Sequence, residues 1–182
     1  MKFLLGEKNA LYLCKHFSSM EKSERMRLEN FADSYDISER MMEIGSKFLP
    51  SFCKGPFSLI AQLNTLTPQE IIPQRENRVA YLFTFSEPVG TDAIIKIDLL
   101  SEDQKKRMLR RERGGVMVWT FPTDSLVYTQ NVVLIAEEHN IITCFPGGLA
   151  PSLPSISLST EEFTKATIFW NEHAFIHYEK RS

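Results

Sequence analysis

Cysteine is scarce in this chain. Its three thiols, Cys14, Cys53 and Cys144, stand far apart and are odd in number. There is no CxxC pair, and the four histidines, His16, His139, His173 and His177, do not complete a clustered ligand set. A four-ligand structural zinc site is therefore not expected. The thiols read instead as reduced and mostly buried. Long apolar runs are missing too, since none approaches the ~20 residues of a membrane span. The apolar start at residues 3–5 is cut off by Glu7 and Lys8, well short of a signal-peptide core. The expectation is a cytoplasmic protein with no membrane partner. Charge of one sign is also lacking: the formal net charge is −2, so no global field draws in nucleic acid. Finally, the chain has no GxxxxGK(S/T) loop, GxGxxG, HExxH, GxSxG or EF-hand loop. That weighs against nucleotide hydrolysis, zinc proteolysis and Rossmann redox chemistry, and no cofactor is expected.

What is present is enough apolar matter for a core. Of 182 residues, 43% are hydrophobic and 11% aromatic, so the chain is not disordered. Residues 1–72 are helical in character. Ser18 and Glu21 have the spacing of a capping box, which would start a helix lined by Met26, Leu28, Phe31 and Ala32. A second helix is expected after Ser38, carrying Met41, Met42, Ile44, Phe48 and Leu49. Gly55-Pro56 breaks the chain before an apolar segment at 57–66, and Pro68 suits the start of another helical turn. Residues 73–78 are polar and read as a linker.

From 79 to 182 the pattern turns β-rich. Strands are expected at 79–85, 93–99 and 116–121. A hairpin is expected over 131–146, where two β-branched runs flank Glu137-Glu138-His139-Asn140. Ser101 with Gln104 starts a helix that is expected to reach Arg113 and stop at Gly114-Gly115. Ser159 with Glu162 caps a last helix bearing Phe163, Ala166, Thr167, Trp170 and Ala174. Strands are mostly consecutive rather than alternating with helices. The fold class is thus α+β: a helical N-terminal part (1–72) packed on a mostly antiparallel sheet of about four or five strands, with a C-terminal helix, within 79–182.

The expected helix 102–113 carries six basic side chains against three acidic ones, a local +3. Arg107, Arg110 and Arg111 would share one face of it, and such a face binds phosphates well. By the rule that charge runs usually face solvent, the same face reads first as solvated, with its cations favouring the helix C-terminus. His173 and His177, four apart on the expected last helix, read as a helix-end pair or as two ligands lacking a third. His139 reads as an exposed turn residue. Thr143 ends a strand beside a proline turn, a place where loops carry function, although its β-propensity alone explains it. Cys144 beside it should be buried and inert.

The segment NVVLIAEEHNIITCFPGGLAPSLP, residues 131–154, resembles the closing strands of the barnase–EndoU–colicin–RelE (BECR) superfamily of ribonuclease toxins. It is most similar to the phage-associated and polymorphic-toxin branches, where a strand pair ends in a threonine followed closely by Pro-Gly. FSEPVGTDAIIKI, residues 85–97, looks like the family's first sheet strands. The resemblance covers about residues 79–158. It implies a four-stranded antiparallel sheet with preceding helices, and metal-independent RNA cleavage by attack of the 2′-hydroxyl on the adjacent phosphate. That chemistry needs a base, an acid and a stabilising cation. Thr143 matches the hydroxyl of the terminal strand. The cation would come from Arg111 or Arg113 or from Lys96, with Arg107 and Arg110 binding RNA. Many members use a strand or loop histidine, whereas here none lies between Arg78 and Glu138. Two functions follow: a ribonuclease-like, toxin-type domain acting on RNA, or an inactive relative that binds an antitoxin or other protein partner.

Overall fold

The computed structural model describes residues 1–179. Four helices lead: α1 (Glu7–Leu13), α2 (Lys22–Leu28), α3 (Ser34–Met41) and α4 (Pro56–Leu63). Strands β1 (Glu70–Pro73), β2 (Arg78–Thr84), β3 (Gly90–Thr91) and β4 (Ile94–Lys96) follow. Then come α5 (Glu102–Lys106), β5 (Leu109–Arg113), β6 (Val116–Thr123) and β7 (Tyr128–Thr129). The hairpin strands β8 (Asn131–Glu137) and β9 (Asn140–Pro146) precede α6 (Thr160–Glu172) and β10 (His173–Tyr178). The class is α+β with mostly antiparallel pairing, as the sequence leads one to expect. The strands form two four-stranded sheets and a two-stranded ribbon rather than one sheet.

The chain divides into two compact units. The first comprises Met1–Asp92 and Val127–Gly148, the second Ala93–Leu126 and the chain from Leu149 onward. The division does not fall at residues 73–78. That polar stretch is the turn of the β1–β2 hairpin, with Glu76 and Asn77 at positive φ. The helical turn expected at 67–70 gives way to β1, because Glu70–Pro73 pairs with β2.

In the first unit the sheet order is β1-β2-β8-β9, antiparallel throughout. Phe3, Leu13, Phe17, Leu59 and Leu63 from the helical part pack with Tyr81, Phe83, Val132, Leu134 and Ile141 of the sheet. α1 is a helix that the sequence pattern did not disclose. α2 starts at an N-cap Glu21 with no side-chain cap bond, so the expected Ser18 box does not form. α3 begins earlier than expected, capped by Asp33 through the Asp36 N–H at 2.8 Å. It ends at Met41, leaving Met42 and Ile44 exposed, while Phe48 is extended and bridged to Phe17 and Gly90.

Side chains far apart in sequence close the helical part. The Glu24 carboxylate accepts from the Phe57 and Ser58 N–H groups at 2.8 and 3.0 Å, capping α4 from outside. This satisfies two of the helix's orphan donors and suits its positive end. A Cβ at Gly55 would come within 2.7 Å of the Glu24 Cβ, so glycine lets the carboxylate in. The Lys47 ammonium donates to the Lys15 and Met41 carbonyls, tying together the ends of the 3-10 helix Cys14–His16 and α3. Asn64 grips both the N–H and the C=O of Phe3, at 2.7 and 3.0 Å.

In the second unit the order is β4-β10-β6-β5, with β10 parallel to β6 and the other pairs antiparallel. Leu100, Phe121 and Ala174 centre its core, with Ile95, Ile97, Met108 and Trp119 around them. Both expected capping boxes form here: Ser101 with Gln104, and Ser159 with Glu162.

Glu24→Ala should lower the unfolding free energy by about 1–2 kcal/mol, the size of a lost helix cap. Gly55→Ala should cost a similar amount because it displaces the same carboxylate. In urea titrations the double variant should then fall well short of the sum of the singles. Strict additivity would separate the two residues.

Candidate functional site

The arginine-rich stretch is not one helix. α5 stops at Lys106, and Leu109–Arg113 is extended and paired with β6. Gly114 and Gly115, at φ +58° and +79°, form the two-residue hairpin turn between β5 and β6 rather than a helix end. Arg107, Arg110 and Arg111 therefore share no helical face. On a strand, alternate residues point to opposite faces. Arg111 and Arg113 lie on one face and Arg110 on the other, where its guanidinium sits 5.0 Å from the Trp119 ring centroid. Arg107 reaches Glu179 at 4.0 Å.

The register fixes what shares the face of Arg111 and Arg113. Arg111 lies opposite Val118, Thr120 pairs with Phe175, and His177 pairs with Pro122. Arg111, Glu112, Arg113, Val118, Thr120, Phe175, Ile176 and His177 line a groove of about 320 Å³. The last strand thus puts a histidine on the lining of the same groove as the arginines. The sequence reading set His173 and His177 on a helix, but both belong to β10. His173 is engaged elsewhere: its Nδ1 donates to the Phe169 carbonyl at 2.8 Å and its ring stacks on Phe169 at 3.8 Å. Among the described residues, no group of three or more His, Cys, Asp or Glu side chains could hold a metal ion.

Arg113 is held in place. Its guanidinium lies 3.9 Å from the Phe175 ring centroid, and Phe175 stacks on Trp170 at 4.4 Å and 17°. The Trp170 Nε1–H is shared between the Pro151 and Ser152 carbonyls, at 3.3 Å each. A planar guanidinium stacked this way loses little further freedom when it meets an anion. Arg111 is exposed and extends the positive rim. Lys96 pairs with His173 and so lies on the same sheet face, but it is not among the groove's lining residues.

Thr143 belongs to the first unit. It is a half-buried mid-strand residue of β9, opposite Ile135 and next to the bulge between Ile135 and Ala136. Lys96, Arg111 and Arg113 belong to the second unit, so the expected catalytic set does not lie within one unit. The hairpin forms as expected, turning at Glu138, which has φ +54°, and exposed His139. Sequence reasoning missed Thr120 and Phe175, and weighed His177 only as a helix-end partner of His173 or one of two metal ligands. Their one signal is the alternation of β6, in which Val118, Thr120 and Pro122 fall on one side.

Two further titratable features belong to the first unit. The His16 Nδ1 donates to the Ser46 carbonyl at 2.9 Å, and its ring lies 6.1 Å from that of Phe145. Desolvation pushes its pKa down to about 4, against the opposing effect of the Ser46 bond. The unfolded chain therefore takes up a proton near the ordinary value of 6.5 while the native chain does not. The contribution is fully present above pH 6.5 and is lost as pH falls toward 4. Stability should thus decline between pH 6.5 and 5, and His16→Asn should flatten that limb in denaturant titrations. An unchanged slope would contradict the assignment. The thiols are buried: burial raises Cys14 to about 11 and Cys53 to about 12, and pushes Cys144 well up. A thiol reagent at pH 8 should label none of the three in the native protein and all three in denaturant.

No family model and no curated protein matches the chain. Among solved structures it is similar to a conserved hypothetical protein from Toxoplasma gondii ME49, with a TM-score of 0.52 and 13% identity. The likeness covers 70% of this chain and 88% of that one. At that identity it speaks to the fold alone.

Proposed function

We propose that the chain is a ribonuclease-like protein of BECR type that takes RNA in the groove of its second unit. One observation carries the reading: Arg111, a stacked Arg113 and His177 meet over a single recess. Two arginine forks suit the non-bridging oxygens of a phosphodiester. A histidine beside them has the proton-transfer chemistry that RNA cleavage requires. In this reading the 2′-hydroxyl attacks the adjacent phosphorus and the bond to the 5′-oxygen breaks. His177 takes the hydroxyl proton and returns a proton to the leaving oxygen. The arginines balance the charge that builds on the phosphorane.

The layout of the first unit supports the family part of the proposal. Helices precede a four-stranded antiparallel sheet, and the segment that resembles BECR closing strands forms its β8–β9 hairpin. Thr143 keeps its place in that resemblance, while proton transfer is assigned to His177.

The Arg111→Ala, Arg113→Ala double variant should weaken binding to single-stranded RNA at least tenfold. It should also flatten the slope of log K against log salt by about 1.4, the value for two phosphate contacts on a single strand. His177→Ala should leave binding within about twofold and lower cleavage by at least a hundredfold. Binding that depends on the arginines without any cleavage by the wild type would identify the inactive relative. Binding indifferent to the arginines would sink the groove as the RNA seat.

A further inference from the structure

We infer that the floor of this groove reads one unpaired nucleotide, with Thr120 as the hydrogen-bonding residue. The inference rests on the RNA reading above. Thr120 is only 8% exposed, yet it lines the groove beside Val118 and Phe175. Its hydroxyl bonds to no described side chain or carbonyl and is not sealed from solvent, so it opens on the groove. Valine would meet the same strand geometry, so β-pairing itself does not ask for the hydroxyl. β6 uses valine on this very face, at Val116 and Val118. The threonine thus offers a donor and acceptor at the bottom of a recess whose other floor is apolar.

A base held in a duplex has its pairing edge occupied and its faces stacked, so it does not offer itself to this floor. A base reaches such a floor only when it leaves its stack. Sequence-specific RNA binding works in this way, on unpaired bases and ribose hydroxyls. The rim fits the same ligand. Arg111 and Arg113 are two residues apart on an extended strand, about 6.8 Å. Adjacent phosphates of an extended single strand can meet that spacing, with the nucleotide between them turned into the groove. His177 stands at the same recess, on the side of β10.

The test uses the full chain, a short single-stranded oligouridylate, a blunt RNA duplex of the same length, and pyrophosphate. Wild type should bind the single strand more tightly than the duplex. Thr120→Val should weaken single-strand binding about five- to tenfold, the worth of one hydrogen bond, and leave pyrophosphate binding unchanged. Thr120→Ser, which keeps the hydroxyl, should bind near wild type, and the melting temperature of Thr120→Val should not fall. Should the valine variant misfold, Thr120→Ala against Thr120→Ser gives the same contrast. Equal affinity for single strand and duplex would overturn the inference, as would Thr120→Val or Thr120→Ala binding like Thr120→Ser. If arginine substitution still weakens RNA binding in that case, only the role of Thr120 fails. If it does not, the RNA reading of the groove fails with it.

Discussion

The ladder between β2 and β8 is the constraint on which the chain's organisation depends. It pairs seven positions, from Arg78 with Glu137 to Thr84 with Asn131. Everything between Thr84 and Asn131 must therefore leave the sheet and return to the same end of it. The short ribbon β3–β7 carries the chain out and back, with Gly90 opposite Thr129 and Thr91 opposite Tyr128. The Asp92 N–H then donates to the Val127 carbonyl at 2.8 Å, just where the second unit begins and ends. Loop-closure cost rises only slowly with length, so a sheet closed this firmly tolerates a long excursion. Gly90 permits the tight passage: a Cβ there would stand 2.4 Å from the Lys47 carbonyl and 2.7 Å from Pro146.

A second constraint of the same kind builds the groove. β10 comes last in the chain yet lies between β4 and β6, parallel to β6. Parallel pairing joins strands distant in sequence, here Thr120 with Phe175. Without it, Phe175 would not lie under Arg113, nor would His177 line the same groove. The cationic character of the site is therefore a product of topology. A chain of net charge −2 obtains a positive rim because β5 sends Arg111 and Arg113 to one face, while Arg110 turns to the other. Glu112 shares Arg110's parity, so its side chain leaves the strand toward the other face, although the residue still lines the groove.

The legible parts of the sequence were those in which local signals and long-range pairing agree. β2, β6, β8 and β9 are β-branched runs that the sheets accept as they stand, and Ser101 and Ser159 form the boxes their spacing implies. The arginine segment misleads because Arg, Leu and Glu favour helices. Pairing with β6 overrides that weak preference, and the glycine pair that resembles a helix stop becomes a hairpin turn. The C-terminal strand misleads in the same way. His173 follows α6 without a break, and nothing local marks the change from helix to strand. Of the site, the arginines were visible as a charge cluster. Thr120 was not, and His177 was read only as a helix residue, since only register across three strands unites them with the arginines.

That asymmetry bears on how the groove works. Charge alone would make a patch that attracts any polyanion, and its strength would fall with salt. The groove is more than charge because its two arginines are unequally free. Arg113 is pinned by Phe175, which is backed by Trp170, which is in turn fixed by backbone carbonyls of the 149–158 segment. Arg111 has no such support and projects from the edge strand. On the proposed reading, a phosphate held by the stacked guanidinium would meet Thr120 and His177 at defined positions, with exposed Arg111 beside it. On that reading the site would separate orientation, set by the stacked Arg113, from attraction, set by charge, and a weak local field would support a specific geometry.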